Sequence, residues 1–257
     1  MALSVFRHLK HLFTSVWLLP ITDPLQAARA LAAYPQYLVQ WRQYIRLPGA
    51  ERMRLADAYP QLHDRSSTMG VDSHYFYVNA WAMRRIVARG PVCHVDIGSQ
   101  TIFASLLSAV VPVVFLDYRP LRANLAGLGC LQGDILNLPF ADASLESLSC
   151  LHVAEHIGLG RYGDPLNPDG TRKAVQELAR VLARKGNLYF ALPVGRPRVC
   201  FNAHRIHAPE MICRYFSDLE LVEFSGVGDD GRFLEGVALS SFNDSQYACG
   251  FFWFRRA

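Results

Sequence analysis

From residue 91 to 254, short apolar runs alternate with stretches whose apolar positions recur every three or four residues. A strand covered by helices on both sides reads as a continuous apolar run, and an amphipathic helix reads with a period of 3.6. On that basis residues 92–97, 113–116, 128–132, 145–153, 186–193, 219–224 and 247–254 are predicted strands. Helices are predicted over 73–89, 101–110, 171–183 and 209–216. The first of these shows an apolar stripe of Phe76, Ala80, Met83 and Val87, and 171–183 shows one of Ala174, Val175, Leu178, Val181 and Leu182. Strands alternating with helices imply an α/β fold with a mainly parallel sheet covered on both faces. The last strand is expected to run antiparallel.

Residues 1–69 read differently. Asp23 followed by Pro24 is a helix start, because the carboxylate accepts a backbone N–H and proline fits the first turn. That helix is predicted to end near Ala33, with Pro35 interrupting it before a second piece carrying Tyr37, Leu38, Trp41, Tyr44 and Ile45. Residues 63–70 are polar and read as a linker, so the domain division is 1–69, a helical N-terminal extension, and 70–257, an α/β domain. Arg7, His8, Lys10 and His11 precede an apolar run over 12–19 that is too short to span a bilayer. The run resembles a signal-peptide core but lacks a small-residue cleavage site. Two readings stay open for residues 1–20: a helix lying on a membrane surface with Leu12, Phe13, Val16 and Trp17 inserted, or a helix packed on protein.

Composition narrows the function classes. The chain has 257 residues, 51% hydrophobic and 19% charged, which supports a large core and excludes intrinsic disorder. A net charge of +4 without a clustered basic face gives no nucleic-acid footprint. Six cysteines without a C-x-x-C pair exclude a zinc ribbon or a thioredoxin motif and read as buried thiols in a reducing compartment, so a cytoplasmic protein is expected.

In an open parallel sheet, ligands bind beyond the carboxyl ends of the strands. The residues standing there are Asp96, Gly98, Ser99 and Gln100, then Asp117 and Tyr118, then Asp134 and Ile135, then 152–156. The first turn has one glycine where a dinucleotide site uses three, which counts against a nicotinamide-dependent oxidoreductase. Asp117, 21 residues after Asp96, stands where an acid binds ribose hydroxyls, and Asp134 where one accepts from an adenine amino group. Each of these acids also serves as a turn or helix cap in a purely structural reading; the succession of three favours a nucleoside ligand.

The segment 95–194 resembles the class I S-adenosylmethionine-dependent methyltransferases. The resemblance rests on Val95-Asp96-Ile97-Gly98, Asp117, Gly133-Asp134, Val153-Ala154-Glu155-His156-Ile157, and Glu177 to Leu182 leading to Gly186-Asn187-Leu188 and Leu192-Pro193. More narrowly, His74-Tyr75-Phe76-Tyr77, Glu155 to Pro165 and Val199 to Arg205 resemble the DUF268 family. The resemblance implies a Rossmann-like methyltransferase sheet and S-adenosylmethionine as cofactor. It places Asp96, Gly98 and Ser99 at the methionine end, Asp117 and Tyr118 at the ribose, Asp134 and Ile135 at adenine, and His152 facing the methyl group. Ser99-Gln100 depart from the more glycine-rich family loop, and Arg184-Lys185 replace a Pro-Gly before Gly186.

For a hydroxyl acceptor the protein supplies a base, and histidine titrates nearest neutrality. His156 is the first candidate, His204 the second, and Glu155 is expected to orient His156 or to bind a substrate hydroxyl; an ordinary hydrogen-bonded histidine is the competing reading. Tyr162, Asp164 and His207 are candidate contacts to the acceptor, with Tyr162 and Asp164 on a Gly- and Pro-rich loop that reads as a lid. His204 and His207, with Asp164, Glu155 and His156, also offer a histidine–carboxylate metal set, but no metal is assigned. The expected activity is methyl transfer to a small-molecule acceptor, such as a sugar or glycolipid-precursor hydroxyl, with peripheral membrane contact through residues 1–20. The alternative is a methyltransferase-fold binding or scaffold protein without catalysis.

Overall fold

The computed structural model describes residues 23–53, 58, 60–62 and 70–257. The expectations for residues 1–20 and most of the 63–70 linker lie outside the described residues. The chain divides into two units, Met1–Gly70 and Val71–Ala257. In the first, helix α1 (Pro24–Tyr44) starts as expected, with Asp23 Oδ1 accepting from the Leu25 N–H at 2.9 Å. It does not break at Pro35 but runs through it. Proline removes one N–H from the ladder without forbidding the turns on either side. Ala30, Ala33, Tyr37 and Trp41 form its half-buried stripe, while Leu38, Tyr44 and Ile45 are exposed.

The second unit opens with α2 (Ser73–Arg89), followed by β1 (His94–Ile97), α3 (Thr101–Leu107), β2 (Val113–Asp117), β3 (Leu128–Gln132) and β4 (Leu145–Leu151). A single turn, Ala154–His156, leads toward α4 (Gly170–Val181) and β5 (Leu182–Val194). Then come the short strands β6 (Arg198–Cys200) and β7 (His204–Ile206), α5 (Pro209–Tyr215), β8 (Glu220–Val227), β9 (Phe233–Leu234) and β10 (Ala248–Arg255). Eight strands form one sheet in the order β3-β2-β1-β4-β5-β10-β8-β9. β1 to β5 pair in parallel, and β10 inserts antiparallel between β5 and β8, as the sequence implied. The β6–β7 hairpin was not anticipated.

Side chains of β5 and β10 alternate between the faces. Leu188, Phe190, Leu192, Phe252 and Phe254 pack with Ala174, Val175, Leu178 and Val181 of α4. Tyr189, Ala191, Cys249 and Phe251 pack with Val78, Trp81, Ala82 and Ile86 of α2 and Phe103 and Leu107 of α3.

Helix α2 therefore buries a different face from the one its apolar pattern suggested. Phe76 is 58% exposed and Val87 45%, while His74, Val78, Trp81, Ala82 and Ile86 are buried. The deciding residue is Trp81, whose ring meets Phe251 and Tyr189 and whose Nε1–H donates to Glu223 at 2.9 Å. Arg85 joins the same carboxylate at 2.6 Å. A polar anchor of this kind hides the buried stripe from a purely apolar count. Asp72 caps the helix, accepting from the N–H groups of His74 and Tyr75, which fixes both residues at the sheet's carboxyl edge.

Candidate active site

The carboxyl ends of β1, β2 and β4 carry two adjoining clefts, of about 320 Å³ and about 620 Å³. Gly98, His152, His156 and Tyr162 line both and form the wall between them.

The first cleft is bordered by Asp117, Tyr118, Asp134, Ile135 and Val153, and by Asp164 on its far rim. Gly98 stands at φ +65°, a left-handed conformation that glycine adopts freely. A Cβ there would lie 3.2 Å from Val153 and 3.5 Å from Asp117 Oδ2, so the bare backbone keeps the cleft open. Asp117 Oδ1 accepts from the Arg119 backbone N–H at 2.7 Å, while Oδ2 lies toward Gly98. Asp134 Oδ1 accepts from the Leu136 N–H at 2.8 Å, which sets the turn after β3. A narrow cleft with a carboxylate at one wall, apolar Ile135 and Val153 on its flanks and a glycine floor fits a nucleoside.

Asp96 lies outside both clefts. It is fully buried and accepts from the Ser149 hydroxyl and from the Ser99 backbone N–H at 3.1 Å. Ser149 in turn neighbours His94 Nε2 at 2.8 Å, and His94 Nδ1 neighbours Ser147 Oγ at 2.7 Å. Because Ser149 donates to Asp96, the chain of bonds puts the proton of His94 on Nε2. Burial pushes Asp96 up to about 6, against the hydrogen bonds from Ser149 and Ser99. Asp96 thus shapes the Gly98 loop from beneath and makes no wall for a ligand. Ser99 lines the second cleft, and its hydroxyl accepts from the Leu151 N–H at 3.1 Å, tying the loop after β1 to β4.

The second cleft is polar. Glu155, His156, His204 and Arg161 line it together with Asp72, His74, Tyr75 and Tyr247. His156 Nδ1 lies 2.6 Å from the Ala203 carbonyl, so Nδ1 carries the proton and Nε2 is the basic atom. Nε2 lies 3.6 Å from Glu155 Oε1. Glu155 is buried, and its Oε2 has no hydrogen-bond partner among the described residues. Burial pushes its pKa up, but the His152 hydrogen bond and the nearby His156 and His152 outweigh this and hold it below the ordinary value. Glu155 is therefore a carboxylate beside an imidazole, with one oxygen unspent. His204, carried in by the β6–β7 hairpin, packs against Tyr247 at 4.9 Å, and burial pushes its pKa down.

The loop after β4 is built from its own motif. Asp164 Oδ2 accepts from the Gly158 N–H at 2.6 Å and Oδ1 from the Tyr162 N–H at 3.2 Å. Burial raises its pKa and these backbone bonds lower it, with the net shift downward. Asp164 is thus a loop cap, on the side of the first cleft and not the second. The Arg119 guanidinium stacks over Tyr162 at 4.7 Å, closing the rim. Arg205 reaches the loop from β7 and donates to the carbonyls of Ile157 at 2.5 Å and Asn167 at 2.9 Å. Charged hydrogen bonds of this kind contribute about 1.5–3 kcal/mol, and lysine cannot reproduce the fork. Arg205→Lys is expected to lower stability by about 1–3 kcal/mol, read by chemical denaturation.

His207 is the sequence-predicted site residue that the fold takes elsewhere. It is buried against Tyr215 at 6.1 Å, lines neither cleft, and burial pushes it down to about 4. The metal set built on His204 and His207 loses that member. Conversely, His74, Tyr75, Arg161 and Tyr247 were not chosen from the sequence. His74 and Tyr75 stand in the string that resembles DUF268, and their place just after the Asp72 cap is the available signal. Tyr247 carried none.

Comparison with known proteins then decides the fold's identity. Residues 90–190 match the family described as "Methyltransferase domain", and residues 141–248 match "Caenorhabditis protein of unknown function, DUF268". The fold is that of the class I methyltransferases. Among solved structures, the [4+2]-cyclase SpnF aligns with a TM-score of 0.54 at 12% identity, covering 75% of this chain and 84% of its own. The N-methyltransferase NodS from Bradyrhizobium japonicum WM9, in complex with S-adenosyl-L-homocysteine, aligns at 0.50 with 18% identity, covering 70% of this chain and 86% of its own. No curated protein matches the sequence. Among the described residues, no helix is long and apolar enough to cross a membrane.

Proposed function

We propose that this chain is an S-adenosylmethionine-dependent methyltransferase whose cofactor occupies the first cleft and whose small-molecule acceptor occupies the second. The observation that carries this reading is the shared wall: Gly98, His152, His156 and Tyr162 line both cavities, so two ligands meet there. Asp117 would hold the ribose hydroxyls, Ile135 and Val153 would flank the base, and Asp134 would stand near its amino group. When bound, the cofactor supplies an electrophilic methyl group on a sulfonium.

The chain's own residues supply orientation and a base. The Ala203 carbonyl keeps the His156 proton on Nδ1, leaving Nε2 to accept the acceptor's proton. Glu155, whose Oε1 lies 3.6 Å from that same Nε2, would stabilise the imidazolium by its charge. Tyr162, stacked under Arg119, forms the rim of the junction.

The lining of the second cleft, rich in imidazole, phenol and carboxylate groups, supports a hydroxylated acceptor such as a sugar or glycolipid precursor. The basic and aromatic pattern of residues 1–20 supports a lipid-linked one, held at a membrane surface. Methyl incorporation from labelled cofactor into a panel of sugars, lipid-linked sugars, peptides and nucleic acids tests this. Labelling of a sugar-containing small molecule is expected; labelling of only peptide or nucleic acid overturns the acceptor class.

A further inference from the structure

Beneath the second cleft, three side chains from three distant segments point at one another. They are His74 at the start of α2, His152 after β4, and Cys249 at the second position of β10. One donor atom from each lies within 4.8 Å of the other two. Cys249 Sγ is 3.0 Å from His152 Nε2, and the two imidazoles stack at 5.7 Å with an interplanar angle of 10°. We propose that this cluster binds a zinc-class divalent ion, with His74, His152 and Cys249 as its three protein ligands.

The surroundings are those of a metal site. A metal-bound histidine usually donates its second N–H to a carboxylate or a carbonyl, which fixes the tautomer and aims the other nitrogen. His152 Nδ1 donates to Glu155 Oε1 at 3.2 Å, leaving Nε2 toward Cys249. The His74 ring packs against the Tyr247 ring, with centroids 5.0 Å apart. His152 also sits at φ +59°, a left-handed conformation unusual for a residue other than glycine or asparagine, and this turn is what aims its ring. Among the described residues, the buried Cys249 thiol hydrogen-bonds only to His152 and to the carbonyl of Gly250 in its own strand.

The donor set selects the metal. Two imidazoles and one thiolate are borderline-soft ligands that suit Zn²⁺ and disfavour Mg²⁺ or Ca²⁺. Three protein ligands leave a fourth tetrahedral position, as in catalytic zinc sites. His74 and His152 both line the second cleft, so that position faces the acceptor. Binding replaces the thiol proton: Cys249–SH and Zn²⁺ give Cys249–S–Zn⁺ and a proton, so affinity rises with pH. A zinc-bound hydroxyl or thiol is more acidic than a free one, which would place an activated acceptor beside His156.

The test uses the full chain, freed of metal by chelator dialysis and titrated with Co²⁺ as a spectroscopic stand-in, without cofactor. One Co²⁺ per chain is expected, with a near-ultraviolet sulfur-to-cobalt charge-transfer band that Zn²⁺ abolishes by displacement. Cys249→Ser is expected to lose the band, and Glu155→Gln to weaken binding about 10–100-fold while keeping it. His74→Ala, in the first turn of α2, is expected to give the same weakening and serves as a check if Cys249→Ser does not fold. Absence of the band in folded wild-type protein, or a band unchanged in Cys249→Ser, overturns the site. Binding of S-adenosylhomocysteine is measured separately, so loss of one result leaves the other readable.

Discussion

Alanine in place of His156 is expected to lower methyl-transfer turnover by about 10²–10⁴-fold, the range over which a positioned general base contributes. The ring stands in the wall shared by the two clefts, and the Ala203 carbonyl takes its Nδ1–H and leaves Nε2 free to accept a proton. Glutamine at 156 can keep a contact to that carbonyl but cannot take a proton, so His156→Gln should be as slow as His156→Ala. Affinity for S-adenosylhomocysteine should change far less than turnover in both variants. Equal loss of cofactor binding and turnover would make His156 a packing residue of the first cleft. Glu155→Gln should give a smaller loss, because it acts through the histidine rings: its Oε1 contacts both His152 and His156.

Asp117→Ala should weaken S-adenosylhomocysteine by about 1.5–3 kcal/mol, the contribution of hydrogen bonds to a charged group, or roughly 10–150-fold. The carboxylate ends β2, and its Oδ1 is already used by the Arg119 N–H, so the backbone turn holds the side chain in place before any ligand arrives. Preorganisation of this kind removes an ordering cost on binding. Asp117→Asn keeps the shape and the turn contact but offers one acceptor oxygen and no charge, so it should fall between wild type and alanine. Unchanged affinity in both would assign Asp117 to the turn alone.

The order of strands and helices was legible because β2 and the second half of β5 are near-continuous apolar runs, and a sheet covered on both faces asks for that. The positions of Asp117, Gly98 and the 152–156 segment followed directly, since each stands just past a strand end. Asp96 illustrates the limit. Its place in the motif is the same whether the carboxylate faces a ligand or the strand beneath, and Ser149, 53 residues away, decides for the strand. The face of α2 was misjudged for a related reason: Trp81 and Arg85 are anchored by Glu223, more than 130 residues later, and no local period records such a bond. The β6–β7 hairpin is three residues on each side, too short for a periodic signal, yet it brings His204 to the second cleft and carries His207 away from it. Cys249 reads as one more apolar position in an aromatic strand; only tertiary structure puts it beside two histidines.

The central claim is that the first cleft is a cofactor site. Calorimetric titration of the full chain with S-adenosylmethionine and with S-adenosylhomocysteine tests it most directly. The account predicts micromolar binding of both at one site per chain, weakened in Asp117→Ala by the factor above. A folded, metal-supplemented protein that takes up neither ligand would contradict it and leave the fold as a scaffold without its cofactor.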